Sequence, residues 1–125
     1  MIPQKVEDRD LKDLTLCDMH NSLNEFLPIL DGVFAHPNPD FDDMSYVSLL
    51  DPGLQLVMCY VLEELYYDGM HVGSNNLLLE MLNEWALRLF MKKYGLSREE
   101  SIAHVKAQEE YNRYLINPEL YSDSE

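Results

Sequence analysis

The sequence predicts an all-α fold, a compact bundle of about four main helices plus a short helix, built as a single domain over residues 1–125. Three observations carry this expectation. Apolar side chains recur at three- and four-residue spacing along several segments, which places them on one side of a helix. No segment alternates apolar and polar residues as a half-buried strand does. Helix-starting signals also stand in front of the periodic segments, with Asp51-Pro52 and Ser97-Arg98-Glu99-Glu100 the clearest. With 46% hydrophobic residues the chain has enough apolar surface for one buried core and too much for disorder.

The first helix is expected over about residues 8–27, where Leu16, Met19, Leu23, Phe26, Leu27 and Leu30 make one apolar stripe. Pro28 lacks an amide donor and either ends or kinks the helix, and Gly32 closes the unit. His36-Pro37-Asn38-Pro39-Asp40-Phe41-Asp42-Asp43 reads as a loop, followed by a short helix over residues 44–50. Asp51 then caps a second long helix, with Pro52 at a position where no amide hydrogen bond is lost. Leu54, Met58, Val61, Leu62 and Leu65 form its expected buried stripe, and Gly69 suits its end.

The third helix begins near Ser74-Asn75-Asn76 and ends before Gly95. Leu78, Leu82, Trp85 and Leu89 lie on one side of it, and Glu84 and Arg88 are spaced for an i,i+4 pair. Ser97 and Glu100 form a capping box at the head of a fourth helix reaching towards Leu115. Ala103, Ala107, Tyr111 and Tyr114 share one side of that helix while Ile102 and Val105 do not, so it is either partly sandwiched or part of an interface. Pro118 stops it, and residues 117–125 read as a flexible acidic tail.

Charge is unevenly spread along the chain. Between Asp13 and Leu87 there is no lysine or arginine, and the 13 acidic residues of that stretch hold nearly all of the net charge of -14. Such a face repels nucleic acid and anionic membrane and speeds encounter with basic protein surfaces. Basic residues are too few for direct nucleic-acid binding. No apolar run reaches the roughly 20 residues of a membrane span, and the N-terminus lacks the apolar core of a secretory signal. Cys17 and Cys59, far apart and in apolar helical contexts, read as reduced core residues. A cytoplasmic protein, monomeric rather than oligomeric, is the simplest expectation.

Nothing in the sequence points to catalysis or a cofactor. His20, His36, His71 and His104 show no metal-binding spacing and no neighbouring nucleophile. Asp40, Asp42 and Asp43 lack the glycine turn and distal glutamate of a calcium loop and read as a contact loop for a basic partner or as a solvated cap. The glycines are not grouped as a phosphate cradle.

Candidate binding residues lie elsewhere. On the second helix Leu56, Tyr60, Glu63 and Tyr67 fall opposite the buried stripe, with Glu64 and Asp68 beside them. Tyrosine rings flanked by carboxylates suit a contact with arginine or lysine. The competing expectation is that this helix is central and buried all round. Glu80 and Glu84 on the third helix add negative charge away from its Leu/Trp stripe, as part of the binding surface or as an ordinary solvated face.

In size, helical character and acidity the chain resembles the small immunity proteins of bacterial toxin systems, particularly those of contact-dependent growth inhibition. The segments that prompt the comparison are Asp40-Phe41-Asp42-Asp43 and Tyr60-Val61-Leu62-Glu63-Glu64-Leu65-Tyr66-Tyr67-Asp68. The resemblance implies a non-enzymatic inhibitor that binds a basic toxin domain, a ribonuclease above all, through protein-protein contact. Two other classes fit the same charge: an acidic nucleic-acid mimic, encoded by a phage, that inhibits a host defence complex, and a helical adaptor or oligomeric subunit.

Overall fold

The structure is a computed structural model that describes residues 3–35, 46–66 and 75–122. Among the described residues the fold is all-α, with five α-helices, two 3-10 turns and no strand. The helices are α1 (Leu16–Ala35), α2 (Pro52–Tyr66), α3 (Asn75–Tyr94), α4 (Arg98–Ile116) and α5 (Glu119–Ser122); the 3-10 turns are Leu11–Asp13 and Tyr46–Leu49.

The first helix differs from expectation at both ends. It starts at Leu16, because Thr15 and Asp18 cap it reciprocally: the Thr15 amide donates to Asp18 Oδ2 at 2.9 Å and the Asp18 amide to Thr15 Oγ1 at 3.2 Å. The residues before it form a separate 3-10 turn capped by Asp10, and Leu11 and Leu14 there are buried. At the other end α1 runs through Pro28 and Gly32 to Ala35. An interior proline costs about 3 kcal/mol. Burying an aliphatic side chain returns about 1.5–3 kcal/mol, and beyond Pro28 the helix buries Leu30 fully and packs Ile29 and Val33 on the core. Tertiary burial thus outweighs the local break.

The third helix occupies the centre. Met81, Leu82, Asn83, Glu84, Trp85, Ala86 and Leu87 are buried in succession, so α3 is enclosed on all sides at its middle. It packs most extensively on α1 and also touches α2, α4 and the Tyr46–Leu49 turn. Asn83 pins that turn, its Oδ1 accepting the Val47 amide at 2.8 Å. Gly95 ends α3 with φ +66°, and the Leu96 amide reaches back to the Met91 carbonyl at 3.0 Å, closing the helix terminus.

The fourth helix has its expected capping box, with the Glu100 amide on Ser97 Oγ and the Ser97 amide on Glu100 Oε1, both at 3.1 Å. Ser101 and Val105 face the core while Ala103 is exposed, so α4 packs by one side. Within the expected tail, residues 119–122 form the single turn of α5, and residues 123–125 lie outside the described residues. Both cysteines are free thiols; Cys17 is exposed rather than in the core, while Cys59 is half-buried and packs against the core. No described helix is long and apolar enough to cross a membrane.

Candidate functional site

The second helix begins as its sequence requires. Asp51 accepts the Gly53 amide at 2.9 Å, and the Gln55 amide bonds to the Asp51 carbonyl at 3.0 Å. Leu54, Met58 and Leu62 then turn inward and are buried. Leu65, expected in the same stripe, is half exposed.

The opposite side of α2 is open. Leu56 is 58% and Tyr60 64% exposed, which excludes a helix buried all round. Glu63 and Glu64 follow one turn later, both exposed and without an ion-pair partner among the described residues. Three of the sequence-predicted residues, Tyr60, Glu63 and Glu64, thus share one face with Leu56. Cys59 flanks them, and burial, followed by the charge of Glu63, pushes its thiol pKa up and keeps it protonated.

Glu84 is a correction. It is 5% exposed and accepts three charge-assisted hydrogen bonds: Arg88 Nε at 2.7 Å, and Arg98 Nη1 and Nη2 at 2.7 and 3.0 Å. Burial by itself would raise its pKa. The hydrogen bonds from Arg98 and Arg88, with their positive charges, outweigh burial and hold the carboxyl below its ordinary range. Glu84 therefore joins α3 to the start of α4 and belongs to no binding surface. Glu80 is half-buried, its Oε2 enclosed without a hydrogen bond, and it stands on α3 rather than on the α2 face. Asp40, Asp42, Asp43, Tyr67 and Asp68 lie outside the described residues.

Folding also redistributes the charge. Lys92, on the last turns of α3, pairs with Glu25 of α1. Lys93 pairs with Asp18 at 3.2 Å and also reaches the Asp13 carbonyl. Burial would raise the Asp18 pKa, but hydrogen bonds from the Thr15 amide, Lys93 and the Thr15 hydroxyl lower it on balance. Cations from beyond residue 87 thus neutralise Asp18, Glu25 and Glu84. The face of α2 receives none of them. Sequence order alone gave no signal for this, because the lysine partners of Asp18 and Glu25 lie more than sixty residues away.

A small cleft of about 90 Å³ lies between the N-terminal segment and α4, lined among others by Arg9, Asp10, Lys12, Leu49, Val105 and Gln108. Two of its charged groups, Arg9 and Asp10, have partners within the chain. Arg9 pairs with Glu7 at 2.7 Å, and Asp10 accepts the Lys12 amide at 2.9 Å. His104, close by, bonds through Nε2 to the Arg9 carbonyl at 2.8 Å, and His20 is exposed on α1. Among the described residues no three His, Cys, Asp or Glu side chains come together as metal ligands would.

The fold and this face define a small all-α domain that displays an acidic, aromatic helix. Residues 35–119 match the model of the CG4951 C-terminal domain family, and the chain belongs to that family. The matched segment contains α2, α3 and α4, and with them the whole exposed face. No curated protein and no solved structure matches the chain.

Proposed function

We propose that this chain is a non-catalytic binding module that holds a basic protein surface against the outer face of α2. One observation carries the reading: Leu56 and Tyr60 stand mostly exposed beside Glu63 and Glu64, and neither carboxylate has a cationic partner among the described residues. Apolar and aromatic side chains supply contact area, and the carboxylates steer and orient a cationic partner. Neutralisation of a basic toxin domain, as by an immunity protein acting on a ribonuclease, is the sharper form of the proposal. It draws on the acidity and helical character of the chain, and the family match names no partner for it.

The test is site-specific photo-crosslinking. A benzophenone side chain in place of Tyr60, in cells that express the chain, should trap a protein with a basic surface. The adduct should disappear when Glu63 and Glu64 are both changed to lysine. Adducts formed from a probe at Glu109 on α4, and none from position 60, would overturn the assignment of the face. For the sharper form, co-expression with a lethal basic nuclease domain should restore growth, and continued death would count against that pairing.

A self-associating subunit is the second reading, favoured by Leu115, Ile116 and Leu120, which are exposed at the junction of α4 and α5. A net charge of -14 opposes it. Sedimentation velocity over a hundred-fold concentration range decides: a constant monomer removes this reading.

A further inference from the structure

The α2 face has a geometry as well as a charge. Gly53, Leu56, Tyr60 and Glu63 follow one another at intervals of three, four and three residues, which is the spacing of a seam between two packed helices. The line runs nearly parallel to the helix axis for about 15 Å, at 1.5 Å per residue. Its start carries no side chain at Gly53, its middle carries the two large exposed groups, and its end carries Glu63 with Glu64 alongside.

We infer that the occupant of this face is an amphipathic α-helix of a partner protein, with lysine or arginine flanking its apolar stripe; the inference rests on the proposed role of the α2 face. An extended segment is a poor fit, because the α2 backbone is bonded within the helix and offers no edge to a strand. A helix fits, since its own i, i+3, i+4 side chains interleave with Leu56 and Tyr60. Cations belong at the far end of the seam. Glu63 and Glu64 lie there, and the negative pole of the α2 dipole adds to them. A second copy of the chain set with its own α2 on this face is opposed by like charge on both sides, and nucleic acid is opposed for the same reason. Two anchors on a narrow seam suit an affinity of about micromolar order for an isolated helix.

The probe is a fluorescent 18-residue peptide of leucine and lysine with leucine at helical i, i+3, i+4 spacing, compared with a peptide of identical composition and scrambled order. Fluorescence anisotropy at 150 mM salt gives Kd, and circular dichroism reports helix gained on binding. The patterned peptide should bind at least ten-fold more tightly than the scrambled one and gain helix. The double variant Leu56→Ser/Tyr60→Ser should remove that preference. Glu63→Gln/Glu64→Gln should weaken both peptides several-fold. Thermal melts establish that each variant is folded, and Leu56→Gln or Tyr60→Gln singly replaces the double variant if it is not. Equal affinity for the two peptides, with both still weakened by Glu63→Gln/Glu64→Gln, would overturn the helical occupant and leave the acidic binding face standing. Binding of neither peptide, or binding unchanged by every α2 variant, would overturn the inference and the proposed face together.

Discussion

Arg98, the first residue of α4, closes a two-pronged ion pair on Glu84 in the middle of α3, with nitrogen-oxygen distances of 2.7 and 3.0 Å. The carboxylate is buried, so removing its charge leaves two guanidinium groups without their anion. Breaking a fully buried pair costs about 3–5 kcal/mol. Because Arg88 and Arg98 are partly exposed, the cost here is smaller. Glu84→Gln is expected to lower unfolding free energy by about 1–3 kcal/mol in urea titration, by the scale of hydrogen bonds to charged groups. A loss below the error of the titration would mean that the pair contributes nothing.

The same pair sets a pH dependence. The Glu84 pKa is lower in the folded chain than in the unfolded one. Its contribution is therefore complete above the unfolded value, about 4.3, and is lost as pH falls through the depressed folded value. The stability difference between the native chain and Glu84→Gln should be constant from pH 8 to pH 6 and shrink below pH 4. A difference that persists unchanged in acid would contradict the assignment.

Two glycines should respond with opposite signs to the same substitution. Gly32 lies inside α1 with open space where a Cβ would stand, so Gly32→Ala should stabilise by about 0.5–1 kcal/mol. Gly95 has φ +66°, where any side chain is strained, so Gly95→Ala should destabilise by about 1–2 kcal/mol. Melting temperatures of the two variants should therefore move apart, one above and one below the native chain.

Residues 35–119 contain the family match, yet the core also needs α1. Phe26 and Leu30 are buried in the same cluster as Trp85 and Phe90. Leu30→Ala should cost about 2–5 kcal/mol. A chain beginning at residue 35 should fail to show a cooperative melt, and a sharp transition in that truncated chain would show that α1 is dispensable.

Variants on the open side of α2 should behave differently. Leu56→Ser and Tyr60→Ser each should change stability by no more than about 0.5 kcal/mol, the range of surface substitutions, whereas Met58→Ala, between them in sequence but on the opposite side of the helix and fully buried, should cost about 2–5 kcal/mol. Large destabilisation at Leu56 or Tyr60 would place that face inside the molecule.

Much of this architecture was legible locally. Asp51-Pro52 starts α2, Ser97 and Glu100 cap α4, Gly95 ends α3, and Glu84 pairs with Arg88, because each of these signals acts within about one helical turn. The inward line of α2 through Leu54, Met58 and Leu62 follows from periodicity alone, and with it the outward placement of Leu56 and Tyr60. Whether that outward side met solvent or another helix did not follow, since periodicity orients a helix without saying how many neighbours it has.

The sequence by itself determined an all-α chain, where α2, α3 and α4 begin, where α3 and α4 end, and which side of α2 turns inward. These are matters of local hydrogen bonding and of side-chain direction along one helix. Only the tertiary structure decided that α1 continues through Pro28, that α3 is the enclosed helix, that Glu84 is buried under two arginines, and that Lys92 and Lys93 return to α1. Each depends on free energy gained between residues far apart in the chain, where burial and ion pairing outweigh the local preference of any one segment.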